Sequence, residues 1–223
     1  MEKYKNIIEK CASGYRRIIV VSIVFPVILT FMGCISSDPS KFYTLSPVKN
    51  LGLPLPESTK LPLDPTPGTD AVTLAIGPVN IPRYLDRSQL VVRLSENEIR
   101  LEDFHQWAGL LREDIPFVLM ENISQILGID TIYRHPWQSH VVPEYQTHID
   151  ILQLDGMPGG YISVSAKWEI IEAGTRKRIH MDKAEFTETV EGTGFDDYVA
   201  AQSKALGQLS LLISLSLKRS LSL

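Results

Sequence analysis

Two cysteines in 223 residues, Cys11 and Cys34, are all the sulfur nucleophile this sequence offers. That excludes a disulfide framework and a cysteine-based zinc site. The N-terminal apolar run suits a signal h-region better than a membrane-spanning helix. Ile18 to Met32 is 15 residues long and interrupted by Ser22, Pro26 and Thr30, short of the roughly 20 residues a span needs. Reactive motifs are scarce too: there is no Gly-x-Ser-x-Gly, no His-Glu-x-x-His and no Gly-rich phosphate loop. Ser46-Pro47-Val48-Lys49 matches Ser-x-x-Lys in letters only, because it sits among prolines rather than at a helix start. His135, His140 and His148 are spaced by five and eight residues, which puts them on no common helical or strand face. Asp150 and Asp155 fall on opposite pleat faces of a strand, and Asp155 opens a Gly/Pro loop. No catalytic residue, cofactor or metal site is expected.

The beginning of the chain is more specific. Lys3, Lys5, Lys10, Arg16 and Arg17 outnumber Glu2 and Glu9 in a leader that runs into the short apolar stretch and ends at Phe31-Met32-Gly33-Cys34-Ile35. This looks like a bacterial lipoprotein signal, residues 1–33, with signal peptidase II cutting between Gly33 and Cys34 and the Cys34 thiol carrying the lipid. Phe31 stands where Leu is usual; Gly33 fits the more demanding position. An uncleaved signal anchor and an ordinary cleaved signal are the competing readings. Two or three acyl chains, at about 0.8 kcal/mol per buried methylene, anchor stably where one does not. Cleavage leaves 190 residues, enough for one domain. The leader takes five of 22 basic and two of 26 acidic side chains, so 17 remain against 24, a net charge of −7. Such a domain has no general attraction to nucleic acid or anionic headgroups, which leaves attachment to the acyl chains on Cys34.

Residues 34–70 read as a lipidated N-terminus with a short strand at 42–45 and a proline-rich linker holding six prolines between Ser46 and Asp70. In extended geometry that linker would separate lipid and domain by on the order of 75 Å. Docking of its leucines on the domain is the alternative. Residues 71–223 read as a single globular domain. Leu90–Leu94 and Glu98–Leu101 suggest a hairpin. Trp107, Leu111, Ile115, Val118, Ile123 and Ile126 recur at helical spacing up to Gly128. With Pro116 inside, either the helix begins near Asp114 or a segment from His105 is kinked. The alternation of Ile162, Val164, Ala166, Trp168 and Ile170 predicts a half-buried strand in a meander with Tyr145–Leu154 and Arg178–Val190. A last helix from about Asp196 carries Val199, Leu206, Leu209, Ile213 and Leu217, plus Leu211, Leu212 and Leu215 beyond one core-facing stripe. Trp168 belongs to the core, whereas Trp107 and Trp137 suit either core or interface.

Three segments together resemble a known family: Phe42-Tyr43-Thr44-Leu45-Ser46-Pro47; Ile76-Gly77-Pro78-Val79 followed by Ile81-Pro82-Arg83-Tyr84-Leu85-Asp86-Arg87; and Phe104-His105-Gln106-Trp107-Ala108. The chain from Cys34 onward is similar to the PqiC-like ABC-type transport auxiliary lipoproteins that accompany MCE-domain proteins in Gram-negative lipid transport. It departs from them at Pro116 and in the long insertion after Pro47. The resemblance implies an α/β (α+β) fold, a mixed, largely antiparallel sheet carrying two long helices, similar to the N-terminal domain of TolB. It further implies a non-enzymatic homo-oligomer lipid-anchored in the outer membrane and facing the periplasm, with an MCE-domain protein and inner-membrane transporter subunits as partners. Ile35, in place of the Asp that retains lipoproteins at the inner membrane, agrees with that address. Pro82, Arg83, Tyr84, Leu85, Asp86 and Trp107 are the candidate partner surface. A lipid carrier with an apolar pocket between its helices is the alternative function, and an enzyme of unrecognised type the third.

Overall fold

In the computed structural model the described residues are 39–48, 72–129 and 131–221. The leader, Gly33, Cys34 and most of the proline-rich stretch lie outside them. Alternating burial along the chain sorts its strands into two sheets. Five strands, β2 (Leu74–Asn80), β5 (Ile132–Arg134), β6 (Tyr145–Gly156), β7 (Tyr161–Glu172) and β8 (Lys177–Thr189), form one sheet in the order β5-β2-β6-β7-β8. The last three are the antiparallel meander; β2 runs parallel to both neighbours. The second sheet, β1-β4-β3, joins β1 (Lys41–Tyr43) to the hairpin of β3 (Gln89–Arg93) and β4 (Ile99–Trp107). The fold class is thus the mixed α+β arrangement, with its strands divided between two sheets.

Two helices, α1 (Leu111–Leu127) and α2 (Phe195–Leu221), pack on each other and on the larger sheet, α1 beside β2 and β5, α2 beside β7 and β8. α1 begins at Leu111, between the two starts expected from Pro116, because β4 holds His105–Trp107 in extended pairing with β1. Pro116 is tolerated six residues into the helix, where it is buried. α1 stops at Gly128, whose φ of 68° lies in the left-handed region and whose N–H donates to the Ser124 carbonyl. Ile115, Val118, Leu119 and Ile123 of α1 and Leu206, Leu209, Ile213 and Leu217 of α2 are fully buried, as are Ile162 and Ile170 of β7. At about 1.5–3 kcal/mol per large apolar side chain, this one cluster is the main source of stability. Of the surplus leucines on α2, Leu211 and Leu212 are half-buried and Leu215 is the most exposed. Among the described residues no helix is long and apolar enough to cross a membrane.

The N-terminal segment is built into this domain. β1 lies parallel to β4, with Lys41 opposite His105 and Tyr43 opposite Trp107. The Ala108 N–H donates to the Tyr43 carbonyl at 2.8 Å. Leu45 is buried in the core. The Ser46 N–H donates to Ser203 Oγ on α2, and the Val48 N–H donates to Asn122 Oδ1 on α1 at 2.9 Å. Val72 is packed against the same core. The chain is thus packed on this domain both before the proline-rich stretch, from Tyr43 to Val48, and after it, at Val72; the stretch expected as a linker lies mostly outside the described residues. Leu45→Ala should lower the unfolding free energy by about 2–4 kcal/mol, read as a shift in the urea midpoint. A free leader-side segment would give no shift.

Candidate functional site

Asp155 is the least expected residue in the structure. It is fully buried, one position from the end of β6. Arg93, the last residue of β3, meets it through both ends of its guanidinium, Nε to Oδ1 at 2.7 Å and Nη2 to Oδ2 at 2.8 Å. Gln153 Nε2 donates to Oδ1 at 2.9 Å, and the Tyr84 hydroxyl donates to Oδ2 at 2.7 Å. Burial is the largest influence on this carboxyl and opposes its charge. The donors from Arg93, Gln153 and Tyr84 outweigh burial and hold it below the usual carboxylate range. The same contacts fix their partners. Arg93 is raised further by its hydrogen bond to Asp155, and the Tyr84 phenol is pushed up to about 12, first by burial and then by its bond to Asp155.

The sequence assembles this node from four segments. Tyr84 lies in the turn between β2 and β3, where the Leu85 N–H donates to the Pro82 carbonyl and Arg87 Nε to the Tyr84 carbonyl. Arg93 also donates through Nη1 to the Glu96 carbonyl, which closes the β3–β4 turn. Tyr198 in the first turn of α2 donates to the Val91 carbonyl at 2.6 Å and accepts from the Gly156 N–H. At Gly156 no side chain fits: a Cβ there would stand 1.8 Å from the Tyr161 carbonyl oxygen. A bulge between Ile151 and Gln153 shifts the register of β6 on β7. It places Asp155 opposite Ser163 and Asp150 opposite Lys167, on the same sheet face. The opposite-face expectation assumed an unbroken strand. The two carboxylates still form no pair, because Asp150 bonds Asn80 and Lys167.

Over the node lies a cleft of about 550 Å³ lined by Tyr84, Arg93, Leu94, Leu152, Met157 and Tyr161 among others. Four of these, Leu94, Leu152, Met157 and Tyr161, are exposed apolar or aromatic side chains. Asp155 accepts four hydrogen bonds and Tyr84 stays protonated at neutral pH. These groups are engaged in holding the two sheets together and are not poised for proton transfer.

The residues predicted for a partner surface separate. Arg83 and Asp86 are exposed, Pro82 and Tyr84 are half-buried, and Leu85 and Trp107 are buried in the core. Leu85 and Trp107 are thus no surface. Leu85 packs in the turn after β2, and Trp107 ends β4 with its side chain inward beside β1. Trp168 is core and Trp137 is half-buried against His135. His148 stands beside Glu169, His140 is exposed in the loop before β6, and the three histidines do not converge. Among the described residues no group of three or more His, Cys, Asp or Glu is placed to hold a metal. Where α1 and α2 meet, Ile115, Leu119, Leu206 and Ile213 are fully buried. Sequence reading missed Arg93 and set Asp155 aside as the opening of a loop. Their one signal is an arginine closing the apolar run Leu90-Val91-Val92, which needs a carboxylate if buried.

A sandwich of this kind, two helices on a mixed sheet with a small second sheet, is shared with crystal structures of other proteins. One neighbour, an uncharacterised protein, superposes with a TM-score of 0.62 at 16% identity, over 81% of this chain and 99% of its own. A Xanthomonas campestris protein superposes with a TM-score of 0.60 at 13% identity, over 78% of this chain and 93% of its own. No curated protein sequence matches the chain. Residues 55–214 match the family described as the ABC-type transport auxiliary lipoprotein component, and the chain belongs to that family.

Asp155→Ala should cost about 3–5 kcal/mol, since it strands the Arg93 charge beside the core. Tyr84→Phe should cost about 1–2 kcal/mol. The folded Asp155 pKa lies below its unfolded value of about 3.9, so its contribution is present above that pH and is lost as pH falls through the folded value. Urea midpoints measured from pH 7 to pH 2 should therefore decline on the acid side in the parent chain, and less steeply in Asp155→Asn.

Proposed function

We propose that this chain is an outer-membrane lipoprotein acylated at Cys34 that faces the periplasm and acts as the non-enzymatic docking subunit of an MCE-type trans-envelope lipid-transport system. Membership of the transport auxiliary lipoprotein family is the observation that carries the reading. Two structural features support it. The node at Asp155 spends its charged groups on holding the fold, and the Tyr84 turn it fixes presents Arg83 and Asp86 to solvent beside an apolar-rimmed cleft. A rigid turn with one exposed charge of each sign and adjoining apolar side chains suits recognition of a protein partner. The MCE-domain protein or an inner-membrane transporter subunit is that partner, and the lipid on Cys34 keeps the turn at the membrane.

Two experiments test this. Cys34→Ala should abolish palmitate labelling and move the protein from the membrane to the soluble fraction; labelling that persists overturns the anchor. Crosslinking in cells should capture an MCE-domain or inner-membrane transport protein. Arg83→Glu should reduce that capture by about tenfold or more with a nearly unchanged urea midpoint, because an exposed charge acts on association more than on folding; Asp86 is left in place because it pairs with Arg112 at 3.2 Å. Capture that is unaffected removes the turn from the interface.

A further inference from the structure

Phe42 on β1 and Phe104 on β4 are aromatic side chains 64% and 47% exposed on the small sheet. Their positions are linked. Phe42 stands opposite Gln106 in the parallel ladder of β1 on β4. Phe42 and Gln106 share one face; Phe104 lies two residues before Gln106, inside the stretch where β4 shifts register on β3, and is exposed near Phe42 along the chain of β4. The opposite face carries Tyr43, His105 and Trp107 and is turned into the protein, where Tyr43 bonds His105 and His105 stacks on Phe195 with ring centroids 3.9 Å apart. Phe42 thus stands on the outward face of the edge strand β1, and Phe104 is exposed a few residues away on the neighbouring β4. None of the core packing described above uses them.

What covers this face is set by the chain that precedes it. Phe42 follows Cys34 by eight residues. At about 3.5 Å per fully extended residue, that tether reaches at most on the order of 30 Å, and the pairing of β1 fixes its far end. The long proline-rich stretch adds nothing to this reach, because it begins only after Val48 is bonded to Asn122. We propose that Phe42 and Phe104 form a membrane seat, inserting at the headgroup boundary of the bilayer that holds the acylated Cys34. The proposal rests on the reading of Cys34 as the lipid anchor. A domain of net charge −7 after cleavage gains nothing from anionic headgroups, so contact has to come from apolar side chains. Tethering makes that contact intramolecular, and two exposed rings suffice where they would fail for a free protein. The seat also orients the domain, since β1 and β4 then lie against the bilayer.

Photocrosslinking in cells identifies the occupant directly. The full chain is made with p-benzoylphenylalanine in place of Phe42, of Phe104, or of Met181, a 61% exposed side chain on β8 in the other sheet. Phospholipid adducts are expected at positions 42 and 104, at about fivefold or more the yield at 181. Adducts to a protein at 42 and 104, whether a second copy or another partner, overturn the seat, as does an equal lipid yield at all three positions. Intact mass of the same preparations separates the two readings. Acylated protein without phospholipid adducts defeats the seat alone, and protein without acyl chains defeats the anchor and the seat with it.

Discussion

Placing the Asp155 carboxylate out of water obliges the chain to supply donors for both oxygens, and they come from three places in the sequence: the turn after β2, the end of β3, and β6 itself. An isolated buried carboxylate would protonate or unfold its surroundings. Here a two-point contact with Arg93 and hydrogen bonds from Tyr84 and Gln153 hold it ionised. The small sheet is positioned on the large one through this node, and Tyr198 ties the start of α2 to the same spot through β3 and β6. Everything presented to solvent nearby, the Tyr84 turn and the apolar-rimmed cleft, inherits its geometry from that pairing.

The node also accounts for the division between what was legible in the sequence and what was not. Period-two alternation in β7 and the three- and four-residue spacing in α1 and α2 report which face meets the core, and those faces are buried as expected. Gly128 as a helix stop was legible for a local reason, the left-handed conformation it adopts. Long-range pairing has no such local trace. Nothing next to Asp155 announces Arg93, 62 residues away, and the bulge at Leu152 reverses the face that strand spacing assigns. Likewise Trp107 and Leu85 carry polar neighbours that read as surface, and only the closure of β4 on β1 and of the turn on the core buries them. Composition does not show where the flanks of the proline-rich stretch pack, and both flanks, at Val48 and Val72, lie on the same domain.

The chain belongs to a family of transport auxiliary lipoproteins, and its architecture suits an auxiliary role. Its charged groups at the Asp155 node neutralise one another. Among the described residues, its surface presents a braced turn, a cleft with an apolar rim and exposed phenylalanines at positions 42 and 104.

A force applied at the N-terminal end of the chain enters the domain through β1, and β1 is three residues long. Among the described residues, β1, the buried Leu45 and the hydrogen bonds from Ser46 and Val48 are the parts of the domain that such a force reaches first. Tension on the anchor end is therefore borne at the outset by a strand with three ladder positions and passed through Leu45 to the shared core.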